Sequence, residues 1–246
     1  MYSNLKKKYG QNFLIDKNIL NKISSLIKNE NLKIVEIGPG DGRLTQYIIK
    51  RKPLTLDLIE IDNNLIKELK QKFQKYKNIN IINEDIMKNE LNIDSDLIIS
   101  NLPYNISSQI LVKICLLKKI PQKLILMFQK EFANRLLEAK LNSLNALVNC
   151  FYDYKLEFNV SKNCFRPVPK VNSSVISFIR KKEFLINNED EILKYIEFKR
   201  YLFSHKRKSL KNLLKNHHVP DIFDLSKRAE SLKLNDLIKL FREIRT

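Results

Sequence analysis

The stretch KIVEIGPGDG, residues 33–42, joins a short apolar run to a turn that contains three glycines. The whole chain has only 4 glycines, whereas about 7% is usual. Glycine lets a backbone turn sharply and approach a ligand closely. A strand, this turn and a helix starting near Arg43 predict the first unit of a nucleotide-binding α/β fold. The spacing G-x-G-x-G differs from the G-x-G-x-x-G of dinucleotide binders, and a plain tight turn is the alternative.

Apolar runs alternate with helical patterns as far as residue 182. Near-continuous Ile, Leu and Val runs are typical of strands buried on both faces of a parallel sheet. The pattern therefore predicts a Rossmann-like, doubly wound α/β domain over residues 1–182. The predicted strands are Lys33–Ile37, Leu54–Ile61, Ile79–Asn83, Leu97–Ser100, Lys123–Phe128, and an antiparallel edge pair, Lys155–Val160 and Ser173–Arg180. The predicted helices are Asp16–Lys28, Asn63–Tyr76 and Ser107–Lys118.

A polar break at Asn187–Glu191 separates this region from a helical pattern at the end of the chain. Pro220 divides two of the helices there, because proline cannot continue a helix. Residues 183–246 therefore predict a small all-helical domain. Its predicted helices are Glu191–Ser204, Lys206–Asn216, Leu225–Leu232 and Asn235–Ile244.

The composition favours a polyanionic partner. The net charge is +18 and the pI about 9.7, a field that favours RNA. Drift toward A/T-rich codons is the alternative, since lysine greatly outnumbers arginine. No apolar run reaches the roughly 18 residues that a membrane span needs. The basic N-terminus has no apolar region behind it, so we expect a cytoplasmic protein without a membrane segment.

The cysteines and histidines do not form a recognisable metal site. The three cysteines match no CxxC pattern, and the three histidines form no HExxH motif. We therefore expect free thiols in a reducing compartment and no bound metal. These residues are Cys115, Cys150, Cys164, His205, His217 and His218.

Acidic residues follow the second and third predicted strands. Glu60 ends the second strand, where a carboxylate can accept both ribose hydroxyls of a nucleotide-like cofactor. Asp62 is close enough that the pattern alone leaves the two acids unseparated, since alternate strand residues share a side. Asp85 could accept an adenine amino group of the cofactor, or could cap a helix.

The motif Asn101-Leu102-Pro103-Tyr104 follows the fourth strand, at the sheet edge where open α/β domains bind ligands. Methylation of an exocyclic amine requires acceptors that hold its hydrogens, because its lone pair is delocalised into the ring. The Asn101 side-chain oxygen and the Leu102 carbonyl can be those acceptors. Pro103 restricts Leu102 to extended geometry, and Tyr104 offers a face on which a base can stack. The motif predicts amino methylation by orientation and electrostatics, without a strong general base.

Taken together, these features resemble the ribosomal RNA adenine N6,N6-dimethyltransferase family, over nearly the whole chain. The residues of the NLPYNISS motif resemble those of the small-subunit branch of the family, and so does the basic K-R-K-S-L segment. The matching motifs are Gly10–Leu14, Glu36–Gly40, Asn101–Ser108, Gln129–Glu131, Phe165–Val171, Lys206–Leu210 and Arg228–Glu230.

The resemblance implies S-adenosylmethionine as the cofactor. It implies that Asn12, Leu14, Gly38, Glu60, Asp85 and Asn101 contact it. It also implies that Phe165 stacks on the target base opposite Tyr104, although the residues alone indicate a core position for Phe165. The implied substrate is two adjacent adenines in a hairpin loop near the 3′ end of small-subunit rRNA, each receiving two methyl groups.

We expect a basic face at the predicted Lys206–Asn216 helix to contact rRNA phosphates, and a solvated lysine face is the alternative. Its residues are Lys206, Arg207, Lys208 and Lys211. Lys6–Lys8 is a weaker case of the same kind. The expected partners are small-subunit rRNA and the small ribosomal subunit, and we expect the protein to be a monomer.

Other functions remain open at this point. A non-catalytic ribosome-assembly or transcription factor could keep the fold, although the intact Asn101, Pro103, Tyr104, Gly38 and Glu60 argue against lost catalysis. A DNA amino-methyltransferase is a further alternative, because Asn-x-Pro-Tyr also serves that chemistry. A dinucleotide oxidoreductase has the wrong glycine spacing and no evident residues for hydride transfer.

Overall fold

The computed structural model describes residues 12–88 and 93–245. The strands are β1 (Phe13–Leu14), β2 (Lys33–Ile37), β3 (Thr55–Glu60), β4 (Ile79–Asn83), β5 (Leu97–Asn101), β6 (Lys123–Gln129), β7 (Tyr152–Val160), β8 (Phe165–Arg166) and β9 (Ser173–Arg180). The helices are α1 (Lys17–Ser24), α2 (Arg43–Ile49), α3 (Asn63–Phe73), α4 (Ser107–Cys115), α5 (Lys130–Leu137), α6 (Asn145–Val148), α7 (Glu189–Ser204), α8 (Leu210–Leu213) and α9 (Leu234–Arg245).

Most strands join a single twisted sheet. Within the described residues the sheet has seven strands, in the order β4-β3-β2-β5-β6-β9-β7, and β1 pairs separately with β8. The pairs from β4 across to β6 are parallel, and β9 is antiparallel to β6. The chain winds outward from β2 in one direction through β3 and in the other through β5. A crevice therefore opens at the carboxyl ends of β2 and β5, and the predicted Rossmann-like fold is confirmed.

The interior strands owe their places to their apolar runs. In β5, the side chains of Leu97, Ile98 and Ile99 are all 0% exposed. Consecutive strand residues point to opposite faces, so both faces of β5 are covered. Burying each such side chain contributes about 1.5–3 kcal/mol, which makes this strand a stable base for the motif that follows it.

The predicted strands lie close to those observed, and the sequence does not predict the two-residue strands β1 and β8. The predicted bounds of β2, β4 and β9 match those observed, β5 and β6 end one residue later than predicted, and β3 is one residue shorter at each end. β7 begins at Tyr152, three positions before the predicted start at Lys155. The start of this strand contains exposed, charged residues, so the sequence shows no clear apolar alternation at that point. Tyr152 itself is fully buried.

The helices α1, α3 and α7 begin at side-chain caps. Asp16 accepts from the backbone N–H groups of Asn18 and Ile19 at the start of α1, and Asp62 accepts from Asn64 N at the start of α3. Such a cap contributes about 1 kcal/mol. The helices α1, α3 and α4 end earlier than predicted. Among the described residues no helix is both long enough and apolar enough to cross a membrane.

The described residues group into two compact units. One contains the chain up to Ala133 together with Tyr154–Arg180, and thus most of the sheet. The other contains Asn134–Asp153 and the residues from Lys181 onward. The second unit is mainly helical, and its core includes Tyr195, whose hydroxyl donates to Ala146 O at 3.1 Å.

Two predicted helices of the C-terminal region are wrong. Of Lys206–Asn216 only Leu210–Leu213 is α-helical, and Leu225–Leu232 is irregular apart from a 3₁₀ turn at Ala229–Ser231. The carbonyls of Leu225 and Lys227 accept from Lys211 N and Leu210 N, both at 2.8 Å. They are therefore engaged by the first turn of α8 and are not available for hydrogen bonds within a helix of their own.

The segment before α6 is held by its own asparagines. Asn142 Oδ1 accepts from Leu144 N and Asn145 N, both at 3.0 Å, and Asn145 Oδ1 accepts from Asn142 N at 2.7 Å. The buried Lys199 donates from Nζ to Ser143 O at 2.6 Å. These hydrogen bonds fix the loop that precedes α6.

Candidate active site

The carboxyl ends of β2, β3, β4 and β5 meet at one edge of the sheet and surround a cavity of about 590 Å³. The structure brings nearly all predicted cofactor and catalytic residues to this cavity. Those that line it are Asn12, Leu14, Gly38, Glu60, Asp85, Asn101, Leu102, Pro103 and Tyr104. Gly10 and Gln11 of the N-terminal motif, and Lys6–Lys8, lie outside the described residues.

The glycine turn needs its glycines. Gly38, Gly40 and Gly42 have φ angles of 65°, 61° and 73°, in the left-handed region that side chains disfavour. A Cβ on Gly40 would also lie 2.7 Å from the ring of Phe13. The turn is held on its other side by Lys72, whose Nζ donates to Asp41 O at 2.7 Å. The backbone can therefore line the cavity without a side chain in the way.

The structure separates Glu60 from Asp62. Glu60 lines the cavity, and its carboxylate accepts from Gly40 N at 3.2 Å, Ile61 N at 2.9 Å and Asp62 N at 3.0 Å. Burial raises the pKa of Glu60, and these backbone donors oppose that effect. Asp62 instead caps α3 and does not line the cavity. Of the two acids, Glu60 is therefore the one that lines the cavity.

Asp85 caps a turn, and its role toward the adenine amino group of the cofactor stays a prediction. Its carboxylate accepts from Met87 N at 2.9 Å and so caps a tight turn after β4. The same residue lines the cavity. A carboxylate oxygen can accept more than one hydrogen bond, so the cap leaves capacity for an amino group of a ligand.

Asn101 is oriented by the N-terminal segment. Its Nδ2 donates to the carbonyl of Asn12 at 3.1 Å. Within residues 12–88 and 93–245, no donor reaches Asn101 Oδ1. The side chain thus has one hydrogen-bonding end committed to the fold and one acceptor available to a ligand at the cavity.

The rest of the motif starts a helix. Pro103 O accepts from Ile106 N at 3.2 Å, just before α4 begins at Ser107. Tyr104 is half-buried, and its hydroxyl lies 2.7 Å from Ser173 Oγ. Burial raises the pKa of Tyr104. The tyrosine is therefore a neutral phenol near pH 7, and it lines the same cavity as Asn101.

Phe165 lies apart from the cavity lining. It is 0% exposed, belongs to the apolar core, and stands opposite Leu14 in the β1–β8 pair. The core position that the residues alone indicate is the one observed. The stacking role that the family resemblance implies for it stays a prediction.

The predicted basic residues are exposed but do not share one helix. Lys206, Arg207 and Lys208 lie in a turn, and only Lys211 lies on the four-residue α8. The predicted single helical face is wrong, because the helix starts after Ser209. Their role toward RNA stays a prediction.

Sequence reasoning gave no role to Glu36, although it is a charged residue inside an apolar strand. Glu36 is 2% exposed, lines the cavity, and accepts from Thr45 Oγ1 at 2.6 Å. Burial raises its pKa to about 8, and the Thr45 hydroxyl opposes that effect. The neutral, protonated form therefore prevails at pH 7, and the carboxyl group beneath the glycine turn carries little charge.

The cavity has the groups that S-adenosylmethionine requires. Glu60 could accept its ribose hydroxyls, Asp85 its adenine amino group, and the turn at Gly38–Gly40 leaves room for its amino-acid portion. No group of three or more His, Cys, Asp or Glu side chains suited to a metal occurs among the described residues. The chemistry of the donor set fits an organic, nucleoside-like cofactor.

Known proteins match the chain over nearly its whole length. A model of the family described as ribosomal RNA adenine dimethylase matches residues 2–243. A ribosomal RNA small subunit methyltransferase A from Mycoplasmopsis pulmonis is 40% identical over 98% of this chain and 99% of its own. The protein of the same name from Pelagibacter ubique is 37% identical, over 99% and 98%.

Solved structures agree with these sequence matches. A dimethyladenosine transferase from Plasmodium falciparum superposes with a TM-score of 0.81 at 28% identity, over 95% of this chain and 97% of its own. The 23S rRNA methyltransferase ErmE shares the fold, with a TM-score of 0.74 at 21% identity over 95% and 100%. The chain therefore belongs to the ribosomal RNA adenine dimethylase family and is an enzyme that methylates adenine in ribosomal RNA with S-adenosylmethionine as methyl donor.

Proposed function

We propose that the enzyme dimethylates N6 of two adjacent adenosines in a hairpin loop near the 3′ end of small-subunit rRNA, during biogenesis of the small ribosomal subunit. The names of the similar bacterial proteins, which specify the small subunit, support this choice. A single-stranded loop also suits the site, because an unpaired base leaves its stack at lower cost than a base in a duplex.

The observation that carries the proposal is the available acceptor on Asn101. Asn101 Oδ1 and the Leu102 carbonyl accept the two N6 hydrogens of the adenine. Holding both hydrogens favours a more tetrahedral nitrogen, whose lone pair is less delocalised into the ring. After the first transfer one N6 hydrogen remains, and one acceptor is then enough to orient the nitrogen.

The remaining steps need position more than proton transfer. S-adenosylmethionine supplies a methyl group on a positively charged sulfur, and the N6 lone pair displaces the carbon–sulfur bonding pair onto sulfur. The cofactor would be held by residues that line the same cavity as Asn101, namely Glu60, Asp85, Asn12, Leu14 and Gly38. The N6 proton leaves late, to water. Orientation of this kind can supply several kcal/mol of the barrier.

The target base lies against Tyr104, whose ring supplies a flat apolar face. We propose Phe165 as the second face, which requires that its ring leave the core position on adenine entry. The Leu14–Phe165 register supports this proposal, because it places Phe165 opposite a residue that lines the cavity. Together the two rings would hold a flipped adenine edge-on to Asn101.

We also propose that residues 183–246 form the rRNA-binding domain, beside a methyltransferase domain of residues 1–182. The exposed charges of Lys206, Arg207, Lys208 and Lys211 support this role. The net charge of +18 supports attraction to phosphate by the whole chain. The proposed working form is a cytoplasmic monomer that uses no metal.

The test is mass mapping of small-subunit rRNA after incubation of unmethylated subunits with enzyme and S-adenosylmethionine. We expect two adjacent adenosines, each heavier by two methyl groups. Large subunits and duplex DNA are the parallel substrates. Modification of either of these, with none on the small subunit, would contradict the proposal, and binding to small subunits without methyl transfer would favour a non-catalytic assembly factor.

A further inference from the structure

Ser173 lies at the first position of β9, where the strand passes the carboxyl end of β6. It is 0% exposed and stands opposite Gln129 in the antiparallel register. Its Oγ is 2.7 Å from the hydroxyl of Tyr104. A buried serine hydroxyl requires a hydrogen-bond partner. Here that partner is the hydroxyl of Tyr104, whose ring is expected to receive the substrate base.

The backbone around Ser173 is fixed from two sides. The carbonyl of Asn172 accepts from Lys130 N at 2.9 Å, at the start of α5. Asn172 Oδ1 accepts from Lys162 N at 3.0 Å, in the 3₁₀ turn that precedes Phe165. Ser173 is therefore a rigid point, because neighbouring elements hold the residue immediately before it.

Tyr104, in contrast, lies in a turn before α4. Its main chain is held by local contacts, such as that of Ser107 Oγ with Tyr104 O at 3.3 Å. A half-exposed ring on such a turn has rotational freedom that substrate binding would have to remove. The hydrogen bond at the far end of the ring removes that freedom in advance, because it ties the phenol to β9.

We propose that Ser173 is a positioning residue that holds the Tyr104 ring in the orientation in which adenine stacks on it. The inference rests on the proposed function of Tyr104. Ser173 touches neither base nor cofactor and acts only through the phenol. A phenylalanine ring stacks as well as a tyrosine ring, so the tyrosine hydroxyl serves placement. Misplacement of a reacting group lowers turnover more than binding.

The experiment compares S173A, Y104F, the double variant and S173T, with S174A as matched control. Ser174 is also buried, at 1% exposure, but its Oγ bonds Asn159 Oδ1 at 2.7 Å. We expect S173A and Y104F each to lower kcat on small subunits about tenfold, the range of one hydrogen bond. KM and the cofactor Kd should change less than twofold, and S173T should recover most of the loss.

Non-additivity is the decisive result. The double variant should be no slower than either single variant, since both remove the same hydrogen bond. S174A should keep wild-type kcat. Wild-type kcat in S173A, or a roughly hundredfold loss in the double variant, would overturn the inference.

A second readout does not need RNA. In protein labelled with ¹³C at tyrosine ring positions, the Tyr104 signal is identified by its loss in Y104F. That signal should shift or broaden in S173A and stay unchanged in S174A. An unchanged Tyr104 signal in S173A would refute the role of Ser173 while the proposed function stands. Absent methyl transfer by the wild type would instead refute the proposed function, and the ring signal would still decide the role of Ser173.

Discussion

The carbonyl oxygen of Asn12 accepts a hydrogen bond from Asn101 Nδ2 at 3.1 Å, across 89 positions of the chain. This contact assigns the two ends of the Asn101 amide, because the nitrogen is committed to the fold and the oxygen is left for substrate. The N-terminal segment thus orients the oxygen that we propose as an acceptor for the adenine N6 hydrogens.

Substitution of Asn101 should separate the acceptor from the amide donor. N101A removes both, and we expect kcat/KM to fall about 100-fold or more, the range seen when one preorganised polar contact to a reacting group is lost. N101D keeps an acceptor oxygen but loses the bond to Asn12, and should lie between N101A and wild type. Methyl transfer is measured with labelled cofactor, and circular dichroism checks the fold. Activity near wild type in N101A would exclude the assigned role.

Glu60 and Asp62 form a natural pair of test and control. E60Q should raise the S-adenosylmethionine Kd about tenfold, because a neutral amide accepts hydroxyl groups less strongly than a carboxylate. D62N should leave that Kd unchanged, since Asp62 caps α3 outside the cavity. Isothermal titration with cofactor gives both values. Equal losses in the two variants would mean that the ribose site is assigned to the wrong acid.

Truncation of the Tyr104 ring should affect RNA turnover more than cofactor binding. Y104A removes the stacking face, whose contact with a base is worth about 1–3 kcal/mol. We expect kcat/KM for small subunits to fall at least tenfold while the cofactor Kd changes less than threefold. Steady-state kinetics and cofactor titration measure the two effects. A larger loss in cofactor affinity than in turnover would place Tyr104 in the cofactor site.

Glu36 should make stability depend on pH. Its pKa is about 8 in the folded protein, against 4.5 for an unperturbed glutamate. Between pH 4.5 and pH 8 this group therefore binds fewer protons in the unfolded chain than in the folded protein. The free energy of unfolding should fall from pH 5 to pH 8 through this group and level off above it. E36Q keeps an acceptor for Thr45 but cannot titrate. In urea unfolding, the free energy of unfolding of E36Q relative to that of the wild type should increase as the pH rises, by an amount on the order of a few kcal/mol. Parallel pH profiles would show that Glu36 is not the titrating group.

Removal of the C-terminal charges should flatten the salt dependence of binding to small subunits. Changing Lys206, Arg207, Lys208 and Lys211 to Gln should reduce the slope of log K against log salt by about 3, if each meets one phosphate. The control with equal charge loss alters four exposed lysines of the first unit, Lys67, Lys70, Lys75 and Lys77. An identical slope in test and control would remove the C-terminal residues from the RNA site.

The sequence predicts the sheet well, because strands buried on both faces appear as continuous apolar runs. Leu97–Ile99 is an uninterrupted apolar run, and its two-sided burial can be read directly. The glycine turn is equally clear, since glycine is scarce in this chain and is required where φ is positive. Both signals are local, so no tertiary knowledge is needed to interpret them.

The C-terminal region is predicted less well, because long-range hydrogen bonds decide its structure. Leu225 and Lys227 have a helical pattern, yet their carbonyls bind the start of α8. The same applies within the site. The roles of Glu60 and Asp62 differ only because of the backbone amides around them. The hydrogen bond between Ser173 and Tyr104 joins residues that are 69 positions apart in the chain.

The strand order has a consequence for how the enzyme is made. β9 is the last strand of the main sheet to leave the ribosome, yet it lies between β6 and β7, so β7 has no neighbour in the sheet until β9 is inserted. The parallel strands β2 to β5 of the cofactor side can be completed by the nascent chain well before that, whereas β1 pairs only when β8 has been made. Ser173 arrives only with β9. The adenine side of the site is therefore finished last, and a chain that ends between β8 and β9 would lack the hydrogen-bond partner of Tyr104.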